Sequence, residues 1–150
     1  MSKKTVAAIA ILILSPLIIY LLWPSDEGRI RKLFREGAKA VEEKRVDDVM
    51  SKVSYNYSDE HGLSYLYLKK FLQQVFGEFS RIGVEYEITG LEIGEGKADV
   101  EVDVRVIASR GAETGYVVGD ATAPHHIKFS LEKERMRWLV TKTRGLPVGF

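Results

Sequence analysis

Proton abstraction beside a carbonyl takes a carboxylate base and a hydrogen-bond donor for the developing oxyanion, both aimed at one point. Tyr86 supplies a donor. It lies in the alternating run Val84-Glu85-Tyr86-Glu87-Ile88, on the side of the apolar residues. The same alternation sends Glu85, Glu87, Asp99, Glu101, Asp103 and Glu132 to the opposite side as solvated charges, and leaves no carboxylate beside Tyr86. The catalytic set is incomplete. Asp47 and Asp48 are accounted for by a helix start, with Asp47 as the N-cap. Asp59 and His61 are ordinary turn composition around Gly62.

Metal binding fares no better. His125 and His126 are neighbours in an alternating stretch and point to opposite faces, so one ion cannot take both. His61 is the only other histidine and there is no cysteine, so no metal site and no cofactor is expected. His125, in phase with Ile127 and Phe129, is the best polar candidate for a pocket. Tyr55, Tyr57, Tyr65, Tyr67, Tyr86 and Trp138 either line a cavity for an apolar ligand or fill it as core. Tyr57, Tyr86, His125 and Trp138 are the ligand-binding candidates. Asn56-Tyr57-Ser58 matches the glycosylation triplet, which matters only in a secreted eukaryotic chain. Gly94-Glu95-Gly96 is turn chemistry and no phosphate loop, because no helix follows it.

These residues follow an apolar leader. Thr5 to Trp23, nineteen residues, carry no charge. At about 1.5 Å per residue they make a helix of roughly 28 Å, close to the ~30 Å hydrocarbon core of a bilayer. The run exceeds a signal h-region and ends at Leu22-Trp23-Pro24 with no small residue for a peptidase, so an uncleaved anchor is expected over a secretory signal or a buried core helix. Trp23 and Tyr20 suit the headgroup level, and Pro16 is tolerated in spanning helices. Without cysteine there is no lipoprotein anchor. Lys3 and Lys4 hold the short tail, residues 1–4, in the cytoplasm and place the domain on the outer side, periplasmic or extracellular. Counting Arg29, Arg31, Lys32 and Arg35 instead gives a domain facing the cytoplasm. Long domains translocate largely regardless of charge, so export is the expectation.

The net charge is +1, and setting aside Lys3 and Lys4 leaves twenty basic against twenty-one acidic residues. Such a balance carries no field for nucleic acid. Repeats and low-complexity tracts are absent, so residues 25–150 read as one soluble domain set close to the bilayer.

Within it, Ile30, Leu33, Phe34, Gly37, Ala38 and Val41 make one apolar helical stripe, with Asp26 and Glu27 at the positive end of the dipole. A short helix uses Val49, Met50 and Val53, and Ser54 to Tyr57 is a brief strand. Tyr65, Leu68, Leu72, Val75, Phe76 and Phe79 form another helical stripe. Beyond Ser80 the period is two: Val84 to Thr89, a bend or bulge at Gly90, a hairpin turn at 94–96, then Ala98 to Val106. Residues 111–124 are a loop with a short strand at Tyr116-Val118. Ile127 to Leu131 and Met136 to Thr143 close an antiparallel meander whose apolar face the helices cover.

This order, with the junction Arg45-Val46-Asp47-Asp48-Val49-Met50, the segment Val53-Ser54-Tyr55-Asn56-Tyr57 and the closing Trp138-Leu139-Val140, resembles the nuclear transport factor 2-like superfamily over residues 29–143. The resemblance implies an α+β cone in which helices close over a curved antiparallel sheet. That superfamily holds isomerases, dehydratases, dioxygenase subunits and non-catalytic modules, so the fold settles no activity. The expected function is a membrane-anchored, non-catalytic domain that binds a small apolar ligand or a protein partner. The alternative is an isomerase- or hydrolase-like enzyme using His125. In this fold the outer sheet face often pairs two copies. Glu85, Glu87, Glu101 and Asp103 against Arg105, Lys128 and Arg137 suit a weak homodimer.

Overall fold

The computed structural model describes residues 2–22 and 25–147. Trp23, which the sequence places at the headgroup level, lies outside the described residues, as does Pro24. Helix α1, Lys3–Leu22, contains Pro16, and none of its residues is buried. Its length and apolarity fit a membrane span, and a secretory signal passes the same test.

Helix α2, Asp26–Glu42, starts where Ser25 accepts a hydrogen bond from the Gly28 backbone N–H at 3.0 Å. It ends in a Schellman pattern. The Arg45 N–H reaches the Ala40 carbonyl and the Lys44 N–H that of Val41, with Lys44 in the left-handed region at φ 55°. Helix α3, Val46–Met50, corrects the expected cap: Arg45 takes the N-cap position, and Asp47 and Asp48 occupy the first turn. They suit the positive end of the helix there, and Arg45 grips Asp48 at 2.6 Å. Val53, expected in this helix, opens β1, Val53–Asp59. Helix α4, Tyr65–Glu78, precedes five strands: β2, Arg81–Ile93; β3, Lys97–Arg110; β4, Glu113–Val118; β5, His125–Glu134; and β6, Arg137–Arg144.

The sheet runs β1-β6-β5-β3-β2, with β4 paired to the far half of β3. The meander from β2 to β6 is antiparallel as hairpins require, but β1 lies parallel to β6, so the sheet is mixed and not wholly antiparallel. No hairpin joins β1 to its neighbour. The chain leaves β1 through α4 for the opposite edge, so nothing forces an antiparallel approach. Gly90 marks a register shift against β3, as the sequence indicates. A Cβ there would meet a Glu101 carboxylate oxygen at 2.8 Å.

The inner face is packed in two different ways. Ile30, Ala98, Val100, Val102, Leu131 and Trp138 are buried against one another at the end of the sheet beside the start of α2. Farther along, Val84, Tyr86, Val104, Val106 and Phe129 face inward yet keep accessible surface.

Candidate functional site

That surface lines a cavity of about 260 Å³. Its walls are Leu33, Phe34 and Val41 from α2, Leu68 and Leu72 from α4, and Val84, Tyr86, Val102, Val104, Val106, Ile127, Phe129 and Val140 from the sheet. The i, i+4 and i, i+3 spacing of the two helical stripes aims these side chains inward, and strand alternation does the same for the sheet. Phe34 and Phe129 meet edge to face, centroids 5.0 Å apart. A second cavity of about 210 Å³ lies toward Phe71, Phe76 and Val117 and shares Val41, Leu68, Leu72, Val104 and Leu146 with the first.

Polar groups in the first wall are few. Tyr57, 3% exposed, places its hydroxyl 2.5 Å from the Thr143 hydroxyl, so each satisfies the other. Burial pushes the Tyr57 phenol up to about 12, with the Thr143 hydrogen bond opposing and the Asp59 charge adding. Lys52 contributes its stem, which a Cβ at Gly37 would touch, while its ammonium lies 3.6 Å from Glu36.

Of the four ligand-binding candidates, Tyr57 and Tyr86 line this cavity. Trp138 packs in the adjoining closed core, its indole N–H donating to the Asp26 carboxylate at 3.1 Å. Hydrogen bonds from Lys133 and then Trp138 hold the Asp26 carboxyl below the usual carboxylate range. His125 is half-buried, and its Nε2 shares a hydrogen bond with the Gly145 carbonyl. His126 turns to the outer face, where its Nδ1 meets Asp103 at 2.7 Å, and that bond raises its pKa above the ordinary value. The two rings diverge, as neighbours on a strand must, and no cluster of metal-ligating residues occurs among the described residues.

Two expectations need correction. Tyr55 and Tyr67, grouped with the cavity aromatics, are exposed. A register shift within β1 turns Ser54 and Tyr57 inward and leaves Tyr55 outside, stacked near Tyr65. A carboxylate does reach the buried side of the sheet: Asp59, on β1 in phase with Tyr57. It does not line the cavity. Its Oδ1 accepts the backbone N–H groups of His61 and Leu63, at 2.9 and 2.7 Å, and closes the turn after β1. The His61 ring lies 3.5 Å from Glu60, so Asp59 and His61 form no side-chain dyad.

Sequence patterns alone missed Lys52, Thr143 and Leu146 in this wall. Thr143, three residues after Val140, is out of phase by simple alternation, and the β6 register shift opposite Ser130-Leu131 brings it to the same side.

No family model matches the chain, and no curated protein matches it. Solved structures do. A conserved protein from Planctomyces limnophilus superposes with a TM-score of 0.68 at 12% identity, over 79% of this chain and 92% of that one. A putative scytalone dehydratase from Novosphingobium aromaticivorans gives 0.67 at 12%, over 81% and 87%. An NTF-2 like protein of unknown function from Shewanella oneidensis gives 0.60 at 15%, over 79% and 97%. At these identities the likeness is one of fold.

Proposed function

We propose that this chain, whose fold is that of the nuclear transport factor 2-like cones, is a membrane-tethered module that holds a small apolar ligand without transforming it. The wall of the larger cavity carries the reading. Aliphatic and aromatic side chains make nearly all of it; of its three hydroxyls, those of Tyr57 and Thr143 bond to each other, and Tyr86 brings the third with no carboxylate in the wall beside it. A carboxylate and a donor converging on one point are what the isomerase-like alternative needs. Asp59 is the buried carboxylate nearest that description, and it spends an oxygen on the turn backbone. The tether is α1, twenty residues with no side chain buried in the domain. Lys3 and Lys4 ahead of it favour a domain on the outer side of the membrane.

The test fills the cavity. Full-length protein in detergent is titrated with N-phenyl-1-naphthylamine, an uncharged fluorophore, and the rise is read above a protein-free blank at the same detergent concentration, because the dye also brightens in micelles. A saturable rise at one dye per chain is expected, and Val104→Phe, which projects into the void, should abolish it with the circular dichroism spectrum unchanged. Dye binding that persists in Val104→Phe would place the ligand elsewhere. Turnover of an enolisable ketone by the wild-type chain would favour the enzyme.

A further inference from the structure

The domain enters from α1 at one end of the sheet, and that end has a surface of its own. α1 stops at Leu22 and α2 starts at Asp26, so the chain between them spans at most about 14 Å. Asp26 is tied to the base of the β5–β6 hairpin: its Oδ1 accepts the Lys133 ammonium at 3.0 Å and the Trp138 indole N–H at 3.1 Å. The β2–β3 turn lies at the same end, because the Lys133 backbone N–H donates to the Gly96 carbonyl at 2.9 Å. Two large apolar side chains stand exposed beside these turns, Ile93 at 40% and Met136 at 68%. Lys133 and Met136 border the same recess as Ile19 and Tyr20 of α1.

The β5–β6 turn is also an unusual choice of residues. Arg135 and Met136 both sit in the left-handed region, at φ 49° and 70°. A two-residue hairpin turn with both φ values positive favours Asn-Gly, which has no Cβ conflict at its second position and little at its first. An arginine followed by an exposed methionine runs against that local preference, and such outliers cluster at functional sites.

We propose that this end of the domain is a membrane-contact surface, in which the β5–β6 turn presses Met136 and Arg135 into the lipid headgroup layer with Ile93 beside them. The proposal rests on α1 being the membrane anchor. Met136, unbranched and apolar, suits the boundary between headgroups and acyl chains. Arg135 offers the planar fork that matches a phosphate. Around it Lys133 and Arg137 are set against Glu132 and Glu134, and Lys133 is already engaged by Asp26. The turn therefore carries little surplus charge, and the group it recognises is the phosphodiester common to zwitterionic and anionic phospholipids. Contact here orients the hollow half of the cone away from the bilayer.

The chain has no cysteine, so single labels are clean. Full-length Met136→Cys, Ile93→Cys and Ala112→Cys are labelled with bimane and reconstituted into vesicles of phosphatidylcholine, with and without phosphatidylglycerol. Ala112 lies in the turn at the far end of β3, about 45 Å along a fourteen-residue strand. Labels at 136 and 93 should be quenched severalfold more than the label at 112 by headgroup-region nitroxide lipids, and less by iodide, in both vesicle types. A second variant separates contact from folding. Arg135→Asn with Met136→Gly restores the preferred turn pair, so the domain should melt no earlier while lipid quenching at Ile93→Cys falls toward the value at 112. Equal iodide access at 136 and 112, in protein that stays in vesicles through alkali, overturns the contact and leaves the anchor standing. Shielding confined to the phosphatidylglycerol vesicles overturns the phosphodiester assignment. Release of the chain by alkali overturns the anchor and this surface together.

Discussion

The two halves of the cone interior are made of the same kinds of residue and behave differently. Beside the start of α2, Ile30, Val100, Val102 and Leu131 are buried almost completely, and Trp138 closes the layer with its N–H on Asp26. Farther along β3, Val104 and Val106 occupy equivalent inward positions and face a void. The difference lies in what covers them. Ile30 and Trp138 fill the closed half from two sides, whereas the later part of α2 lines the cavity with Gly37, which has no side chain, and Ala38, which has only a methyl. A packed interior and a hollow one thus follow from side-chain volume at a few helix positions, on one continuous strand.

Truncation separates the two halves most clearly. Leu131→Ala removes a side chain that is 1% exposed in a close-packed layer and should cost about 3–5 kcal/mol, and Trp138→Ala about the same. Leu72→Ala, whose side chain already borders the void, should cost about 2 kcal/mol or less, because part of its surface was never packed. Urea denaturation of the three variants measures the ranking. Equal costs for Leu131 and Leu72 would mean that the second half is as full as the first.

Much of this layout is legible in the sequence because periodicity reports which way a side chain points. The α2 stripe, the alternation along β2 and β3, the bulge at Gly90 and the divergence of His125 from His126 all follow from a period of 3.6 or 2. Periodicity is silent on what stands opposite. Tyr86 and Val104 read as inward in either case, so hollow against filled is not decided by their own strand. Register shifts defeat it too: the irregularity in β1 puts Tyr55 outside and Tyr57 inside, and hides Asp59 among turn residues. The parallel pairing of β1 with β6 depends on a contact between segments some eighty residues apart, for which no local pattern exists.

Tyr57 sits on the seam, buried with the closed cluster while lining the cavity, so its ionisation reports on both halves. Its phenol is pushed up to about 12 in the folded chain, against about 10 for an unfolded tyrosine. The stability this contributes is fully present below pH 10. It is lost as pH rises toward 12, because the unfolded chain gives up the proton first. The loss should amount to about 2–3 kcal/mol across that window. Tyr57→Phe should lack that component of the alkaline slope and be less stable at neutral pH by about 1 kcal/mol for the hydrogen bond to Thr143. Chemical denaturation at pH 8, 10 and 11.5 reads both. An unchanged slope in Tyr57→Phe would mean that water in the cavity already solvates the phenolate.

The outer face of the same sheet pairs charges where the inner face packs apolar side chains. Glu85 stands opposite Arg105, Glu101 opposite Lys128, and Asp103 opposite His126, while Glu87 and Asp103 repel across the β2–β3 ladder. His126 is held charged to higher pH by its bond to Asp103, so this contribution is complete below the ordinary histidine range. It fades as pH rises through the raised value. We propose that this face mediates a weak homodimer, in which a two-fold axis lays one mixed-charge patch on its copy around the half-buried Leu139. Exposed ion pairs contribute about 0–1 kcal/mol each, so association should be measurable only at high concentration and low salt. Screening at 1 M salt, where the Debye length shrinks to about 3 Å, should dissolve it. Full-length protein in nanodiscs would impose its own stoichiometry, so sedimentation in detergent micelles at low and high salt is the measurement, with Lys128→Glu as the variant that should abolish the dimer. Lys128→Glu also faces Glu101 across the ladder, so its thermal melt must stay within a few degrees of wild type for the loss to count. A monomer under every condition would leave the outer face solvated.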